Sequence, residues 1–147
     1  MKTIWEHDAR LEILRRIESV SPETKPLWGG MTCGRMFRHL AQSFAMANGE
    51  LPTKSKNLPL RYFPLKQFAI YVMPFPKGLP TAPELLEGDG ESCEAARGDL
   101  RNGIETFAKR ADVIAWPIHP AFGKLSTRAW GVLMYRHSDH HLRQFGA

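Results

Sequence analysis

The first half of the chain contains two runs of hydrophobic residues at helical spacing. In the first run the apolar side chains recur at three-residue steps, at Leu11, Leu14 and Ile17. Thr3 and Glu6 fit a capping box, in which the Thr hydroxyl accepts an amide hydrogen bond and the Glu carboxylate reaches back. Because Pro22 disfavours helical backbone at the residue before it, the pattern predicts a helix over about residues 4–20.

The second run follows Thr32, whose hydroxyl can cap a helix, and stops at Asn48-Gly49, a pair typical of a helix C-terminus. Its apolar stripe consists of Met36, Phe37, Leu40, Phe44 and Ala47. His39 belongs to this second helix and lies at the border of the stripe. The pattern therefore predicts a helix that carries one imidazole close to the core.

Residues 50–80 combine six prolines with a high apolar content. The prolines rule out one long helix, because each lacks a backbone N–H and clashes with the preceding turn. The apolar content argues against disorder. Residues 65–73, "LKQFAIYVM", can form a helix of about two turns. We therefore predict a partly helical excursion that lies across a bundle of longer helices.

A third long helix is predicted to begin at Asp89 or Ser92, and its apolar period continues to about residue 111. Gly98 and Gly103 lie inside it. Each costs about 1 kcal/mol relative to Ala in a helix interior. Close packing against a neighbouring helix is one reason for such glycines to be tolerated.

The fourth helix follows a proline-containing connection and is capped by Ser126. Its apolar positions are Trp130, Leu133 and Met134, and a group of histidines follows them. Amphipathic helices without alternating strands predict an all-α fold, a four-helix up-down bundle with the excursion between helices two and three. A length of 147 residues fits a single domain over residues 1–147.

Composition and charge narrow the classes of function. Hydrophobic residues make up 43% and charged residues 24% of the chain, as in a soluble globular protein. No apolar run reaches the roughly 18 residues that a transmembrane helix needs, so no membrane association is predicted. Residues 51–80 contain five basic and no acidic residues, whereas residues 81–99 contain six acidic ones. The basic side chains are scattered among apolar ones, so we do not predict a nucleic-acid partner.

The two cysteines, Cys33 and Cys93, are 60 residues apart and match neither a zinc-site spacing nor a disulfide framework. The N-terminal segment lacks the apolar stretch of a signal peptide. Both features predict a location in the reducing cytoplasm. Since a helix N-terminus favours a thiolate, Cys33 is a minor candidate for a nucleophile.

Three histidines occur within five positions near the end of the fourth helix. His137 and His141 are four residues apart and share the face that carries the apolar seam. Two inward imidazoles suit one Zn, Ni, Cu or Fe(II) ion, and a catalytic site of this type needs a third protein ligand. His39 and His119 are the candidates for that ligand. The alternative is that the histidines form a polar end to the helix.

The sequences "FRHL" in the second helix and "HSDHHLRQ" in the last one resemble the DinB-like superfamily of bacterial metal-binding helix bundles. Its members carry a His on helix two and the motif His-x-x-x-His on the last helix. A Gln follows three residues beyond the second His of that motif. The corresponding residues are His39, His137, His141 and Gln144. Residues 119–146 resemble one branch of this superfamily. Members commonly have Arg directly after the last His, where this chain has Leu142 followed by Arg143.

The resemblance implies a bundle, often dimeric, in which three histidines hold a divalent metal ion (Ni, Zn, Mn or Fe). Characterised members activate a low-molecular-weight thiol or a water, for thiol transfer to electrophiles or thiol-dependent isomerisation. We therefore expect metal ligation by His39, His137 and His141, a small-molecule substrate and a homodimer. The side chains expected around the pocket are His119, Phe122, Trp130, His140, Arg143 and Gln144.

Two classes of function follow from these patterns. In the first, an enzyme of S-transferase, thiol-dependent isomerase or hydrolase type uses the metal charge to generate a nucleophile at neutral pH. In the second, the protein is a non-catalytic metal-binding or stress-response interaction module. For the enzyme, the aromatic residues of the excursion are expected to wall the site: Tyr62, Phe63, Phe68 and Tyr71.

Overall fold

A computed structural model of the chain describes residues 1–75 and 92–147. The helices are α1 (His7–Ser19), α2 (Cys33–Asn48), α3 (Leu65–Tyr71), α4 (Cys93–Ala108) and α5 (Thr127–Gln144), with a 3-10 helix at Pro59–Arg61. These ranges contain no strand, so the predicted all-helical class is confirmed for them. None of the described helices is both long and apolar enough to cross a membrane. Residues 76–80 of the predicted excursion and the alternative helix start at Asp89 lie outside the described residues.

Hydroxyl side chains cap three of the helices, as the sequence predicts. Thr32, Ser92 and Ser126 each accept a hydrogen bond from the amide three residues further on, over 3.3, 3.1 and 3.2 Å. Each cap satisfies one of the amides that the first turn of a helix leaves without an intrahelical partner. Ser92 therefore caps α4, which begins at Cys93 and ends at Ala108 rather than near residue 111.

The predicted start of the first helix is wrong by about one turn. Thr3 does pair with Glu6, whose Oε1 accepts from the Thr3 amide over 3.0 Å and from its hydroxyl over 3.1 Å. This pair closes a separate turn, however, and α1 begins only at His7. The amide of Ile4 donates to the carbonyl oxygen of Gly131 over 3.1 Å, which fastens the turn to α5. A tertiary contact thus replaces the first helical turn.

The most extensive helix pairing in the described part of the chain joins α2 to α4. A Cβ added to Gly103 would lie 3.1 Å from the Cβ of Phe44, so a glycine lets the two backbones approach here. Asn48 also donates a side-chain hydrogen bond to the Gly103 carbonyl over 3.2 Å. A Cβ at Gly98 would meet nothing within 4 Å. The packing explanation therefore holds for Gly103 and fails for Gly98.

The prediction that the cysteines form no disulfide is wrong. Cys33 and Cys93 are bonded, with their Cα atoms 5.9 Å apart, and the bond joins the first residues of α2 and α4. The pairing of the two helices brings these distant positions together, which spacing along the chain cannot show. Neither sulfur is a free thiol. The candidate nucleophile at Cys33 is withdrawn, and the cysteines give no support to a reducing compartment.

Candidate metal centre

The structure brings together the three histidines predicted as metal ligands. α2 supplies His39, and α5 supplies His137 and His141 from one face. One ring nitrogen of each lies within 4.8 Å of the other two, and the Nε2 atoms of His39 and His137 are 2.9 Å apart. Nitrogen ligands at 2.0–2.1 Å from a tetrahedral ion lie about 3.3 Å from each other. Small side-chain movements would therefore give the cluster the spacing that one metal ion requires.

Burial keeps the two imidazoles of α5 uncharged. His39 is buried, and the two histidines of α5 are partly exposed. Burial, together with the nearby His39, lowers the pKa of His141 to about 3. Burial is also the main reason that the pKa of His137 lies well below its usual value, with smaller effects from His39 and His141. Neutral imidazoles retain the lone pair that a metal ligand needs.

Gln144 orients one of these ligands. Its Oε1 lies 2.9 Å from Nδ1 of His141, and its amide nitrogen donates to the carbonyl oxygen of Trp28 over 2.8 Å. The second bond fixes the orientation of the amide, so Oε1 must accept a hydrogen bond from Nδ1–H of His141. The Nε2 atom of that ring then keeps its lone pair. Hydrogen-bonded partners of this kind set the tautomer and ring orientation of metal-binding histidines. Gln144 is therefore placed to support His141 as a ligand.

The segment that receives Gln144 has a glycine at the point of contact. A Cβ on Gly29 would lie 2.9 Å from the Gln144 amide nitrogen, and the φ angle of Gly29 is 77°. Both the space and the left-handed backbone favour glycine. The sequence "WGG" marks this loop as a turn, but its role beside the last helix depends on the tertiary fold.

The aromatic wall of the cluster is Phe75, which the sequence analysis did not single out. Its ring stacks on His137 with centroids 5.7 Å apart and also lies 5.7 Å from the ring of His140. The Arg136 guanidinium lies over the same ring, 5.6 Å from its centroid. Arg136 also donates to the carbonyl oxygens of Ala69, Ile70 and Met73. One arginine of α5 thereby holds both α3 and Phe75 against the histidine cluster.

The aromatic residues expected to wall the site are mostly exposed. Tyr62, Phe63 and Phe68 are 62%, 81% and 53% exposed, and only Tyr71 packs against the core. For the first three, a place at the mouth of the site stays a prediction. Because α3 turns its Ala69–Ile70 side towards α5, Phe68 faces outwards.

The other predicted pocket residues divide into three groups. His140 lies between the rings of Trp28 and Phe75, outside the converging nitrogen atoms. The side chain of Arg143 is 71% exposed and pairs with Asp139 over 2.9 Å, so it points away from the cluster. His119, Phe122 and Trp130 form a group of ring contacts towards the start of α5.

The donor set fits a divalent ion such as zinc, nickel or iron(II). Imidazole nitrogen suits these metals, and three protein ligands leave a position for an exogenous molecule. The chain matches no family model, no curated protein and no solved structure. The DinB-like resemblance therefore stays a prediction, and the three-histidine group is the feature on which a function can be argued.

Proposed function

We propose that the protein is a DinB-like, metal-dependent enzyme that activates a low-molecular-weight thiol or a water for reaction with a small electrophile. One observation carries the proposal: His39 and His137, 98 residues apart in sequence, meet through their Nε2 atoms beside a third imidazole oriented by Gln144. A polar end to a helix would not require a buried partner from another helix. The proposal includes a four-helix up-down bundle for α1, α2, α4 and α5.

The chemistry follows from the charge and the position of the three ligands. When bound, a divalent metal supplies a 2+ charge that lowers the pKa of a thiol or water and makes a nucleophile available at neutral pH. The neutral imidazoles leave that charge uncompensated. Gln144 keeps Nε2 of His141 directed at the site, and Phe75 covers His137 and limits access of water. These residues bind, orient and shield, and the electrophile would enter beside Phe75.

An enzyme is favoured over a purely structural metal site by the number of ligands. Structural zinc sites are closed by four protein ligands, whereas catalytic sites use three and keep one position open. The grouping found among residues 1–75 and 92–147 has three members, two of them partly exposed. An exogenous ligand could therefore complete the coordination.

The first test measures metal content in untagged protein. The wild-type chain and a His39→Ala variant are purified in parallel and analysed for nickel, zinc, manganese and iron. His7→Ala is the matched control, because His7 is exposed at the start of α1. We expect about one ion per chain in the wild type and the control, and little in His39→Ala. A wild type that retains no metal after loading and dialysis would contradict the proposal.

The second test addresses catalysis. The loaded wild type and His137→Ala are mixed with a panel of thiols and electrophiles, and consumption of the electrophile is followed. Loss of a thiol-dependent or water-dependent rate in the variant supports the enzyme. Tight metal binding without any reaction supports the alternative, a non-catalytic metal-binding or stress-response module. The exposed Tyr62, Phe63 and Phe68 favour that alternative, since exposed aromatic residues close together mark interaction surfaces.

We further propose that the protein is a homodimer in the cytoplasm and that its substrate is a small molecule rather than a nucleic acid. The proposal of a dimer rests on the resemblance to the DinB-like superfamily. Light scattering on the eluting peak of a size-exclusion column measures the mass directly. A mass of 16.7 kDa, that of one chain, at micromolar concentration would contradict the dimer.

A further inference from the structure

The imidazole of His119 is held in one tautomer by its own loop. Its Nδ1 accepts hydrogen bonds from the backbone amides of Ala121 and Phe122, each over 3.1 Å. The loop is closed by a reciprocal pair of backbone bonds between His119 and Gly123. Because both amides can only donate, Nδ1 carries the lone pair and Nε2 carries the proton. Nε2 lies on the other side of the ring, so its N–H points away from the loop.

This N–H remains a neutral donor at physiological pH. Burial lowers the pKa of His119 to about 3, so the ring does not take up a second proton. In the described part of the chain, no residue accepts a hydrogen bond from Nε2. A donor with a fixed direction and no acceptor can bind an acceptor supplied by a ligand.

A second donor without an acceptor belongs to the neighbouring ring. Trp130 packs against His119 with ring centroids 5.4 Å apart, and its side chain is fully buried. Its indole N–H has no hydrogen-bond partner within residues 1–75 and 92–147. Buried donors normally have partners, and leaving one unpaired is costly. The two adjacent rings therefore offer donors where the described residues provide no acceptor.

The position of these rings relates them to the histidine cluster. Trp130 and His137 lie seven residues apart on α5, nearly two turns, and so on the same face about 10 Å apart along the axis. His119 contacts the ring of Trp130 and therefore lies at the Trp130 end of this face. A molecule with one end at the three histidines could therefore reach His119 with the other.

We propose that Nε2–H of His119 binds a carboxylate or carbonyl group at the far end of the small molecule that occupies the three-histidine site. The inference rests on the proposed function and narrows its substrate class to molecules that span about 10 Å from the reacting atom to a hydrogen-bond acceptor. His119 would thus be a specificity-determining residue. It would favour substrates that are long enough to reach it and that carry a hydrogen-bond acceptor. It would not affect the binding of small thiols.

The competing explanation is that His119 only stabilises its own loop, and one substitution separates the two roles. In His119→Asn, the side-chain oxygen occupies the place of Nδ1 and can still accept from the Ala121 and Phe122 amides. The variant lacks the Nε2–H group. A purely structural role therefore predicts no change in ligand binding for His119→Asn, and a donor role predicts a selective loss.

The experiment uses thiols of different length as probes on the zinc-loaded full chain. Mercaptoacetate is too short to span the distance, ω-mercaptooctanoate is long enough, and octanethiol has the same chain without the carboxylate. Binding is measured by isothermal titration calorimetry on the wild type and His119→Asn. A hydrogen bond to a charged group corresponds to about a ten- to hundredfold change in affinity.

We expect the wild type to bind ω-mercaptooctanoate at least tenfold more tightly than octanethiol, and His119→Asn to abolish that preference. Affinity for mercaptoacetate and zinc content should stay the same in the variant. Equal binding of ω-mercaptooctanoate by both proteins would overturn the role of His119 while leaving the metal site intact. A wild type that takes up no zinc would overturn the proposed function, and with it this inference.

Discussion

Removing the hydrogen-bond partner of His141 should weaken metal binding while the chain stays folded. In Gln144→Ala, Nδ1 of His141 loses the acceptor that lies 2.9 Å away, and the carbonyl oxygen of Trp28 loses a donor at 2.8 Å. The ring is then free to rotate or to change tautomer before it binds the ion. Loss of such a partner lowers metal affinity by about ten- to hundredfold, which corresponds to about 1.4–2.7 kcal/mol.

Competition between the protein and a chromophoric chelator measures the zinc dissociation constant at neutral pH. Gln144→Glu is the matched control, because its carboxylate still accepts from Nδ1 but cannot donate to Trp28. We expect Gln144→Glu to bind zinc at least as tightly as the wild type and Gln144→Ala to bind it at least tenfold more weakly. Urea unfolding of the metal-free proteins reports the separate effect of the lost bond to Trp28, about 1 kcal/mol. Unchanged zinc affinity in Gln144→Ala would refute the argument that this amide orients His141.

Three further predictions concern stability. Gly131→Ala places a Cβ 2.1 Å from the indole nitrogen of Trp5 and should destabilise the fold by about 1–3 kcal/mol. Gly98→Ala places its Cβ in open space and should stabilise the fold by about 0.5–1 kcal/mol. Similar shifts of the two variants in urea unfolding would contradict this difference. Cys33→Ser opens a bond between residues 60 apart and should lower the free energy of unfolding by about 4 kcal/mol. A reductant should destabilise the wild type and not this variant, and a wild type insensitive to reductant would contradict the bond. Burial lowers the pKa of His119 to about 3 in the folded chain from its ordinary value of 6.5, so the unfolded state binds the extra proton between these pH values. The stability that depends on a neutral His119 is fully present above pH 6.5. It is lost as the pH falls towards 3, by at most about 1.4 kcal/mol per pH unit. His119→Asn should therefore make the fall of the free energy of unfolding in acid less steep, and an unchanged pH dependence would count against this explanation.

Features set by neighbours in sequence were predictable. The caps at Thr32, Ser92 and Ser126 follow from hydroxyl side chains in front of amphipathic runs, and each is present. The shared face of His137 and His141 follows from the 3.6-residue period, and both imidazoles do reach the cluster. Helix geometry acts over a few residues, so a single sequence contains the information needed.

The choice of the third histidine needed more than local pattern. His39 and His119 were both open candidates on residue chemistry, and the resemblance to the DinB-like superfamily favoured His39. The structure brings His39 to the cluster and places His119 beside Trp130, with Nδ1 bonded to its own loop. The pairing of α2 with α5 decides this, and hydrophobic spacing does not specify which helices become neighbours.

Tertiary packing also decided what the sequence analysis got wrong. Cys33 and Cys93 are joined because α2 and α4 begin side by side, although their spacing matches no disulfide framework. Phe75 covers His137 because Arg136 binds the carbonyl oxygens after α3, whereas Phe63 is 81% exposed. The sequence by itself determined the helical class, most helix ends and the two candidate metal ligands on α5. Contacts between residues far apart in the chain decided the third candidate ligand, the disulfide and the position of Phe75 beside His137, because they depend on how the helices pack.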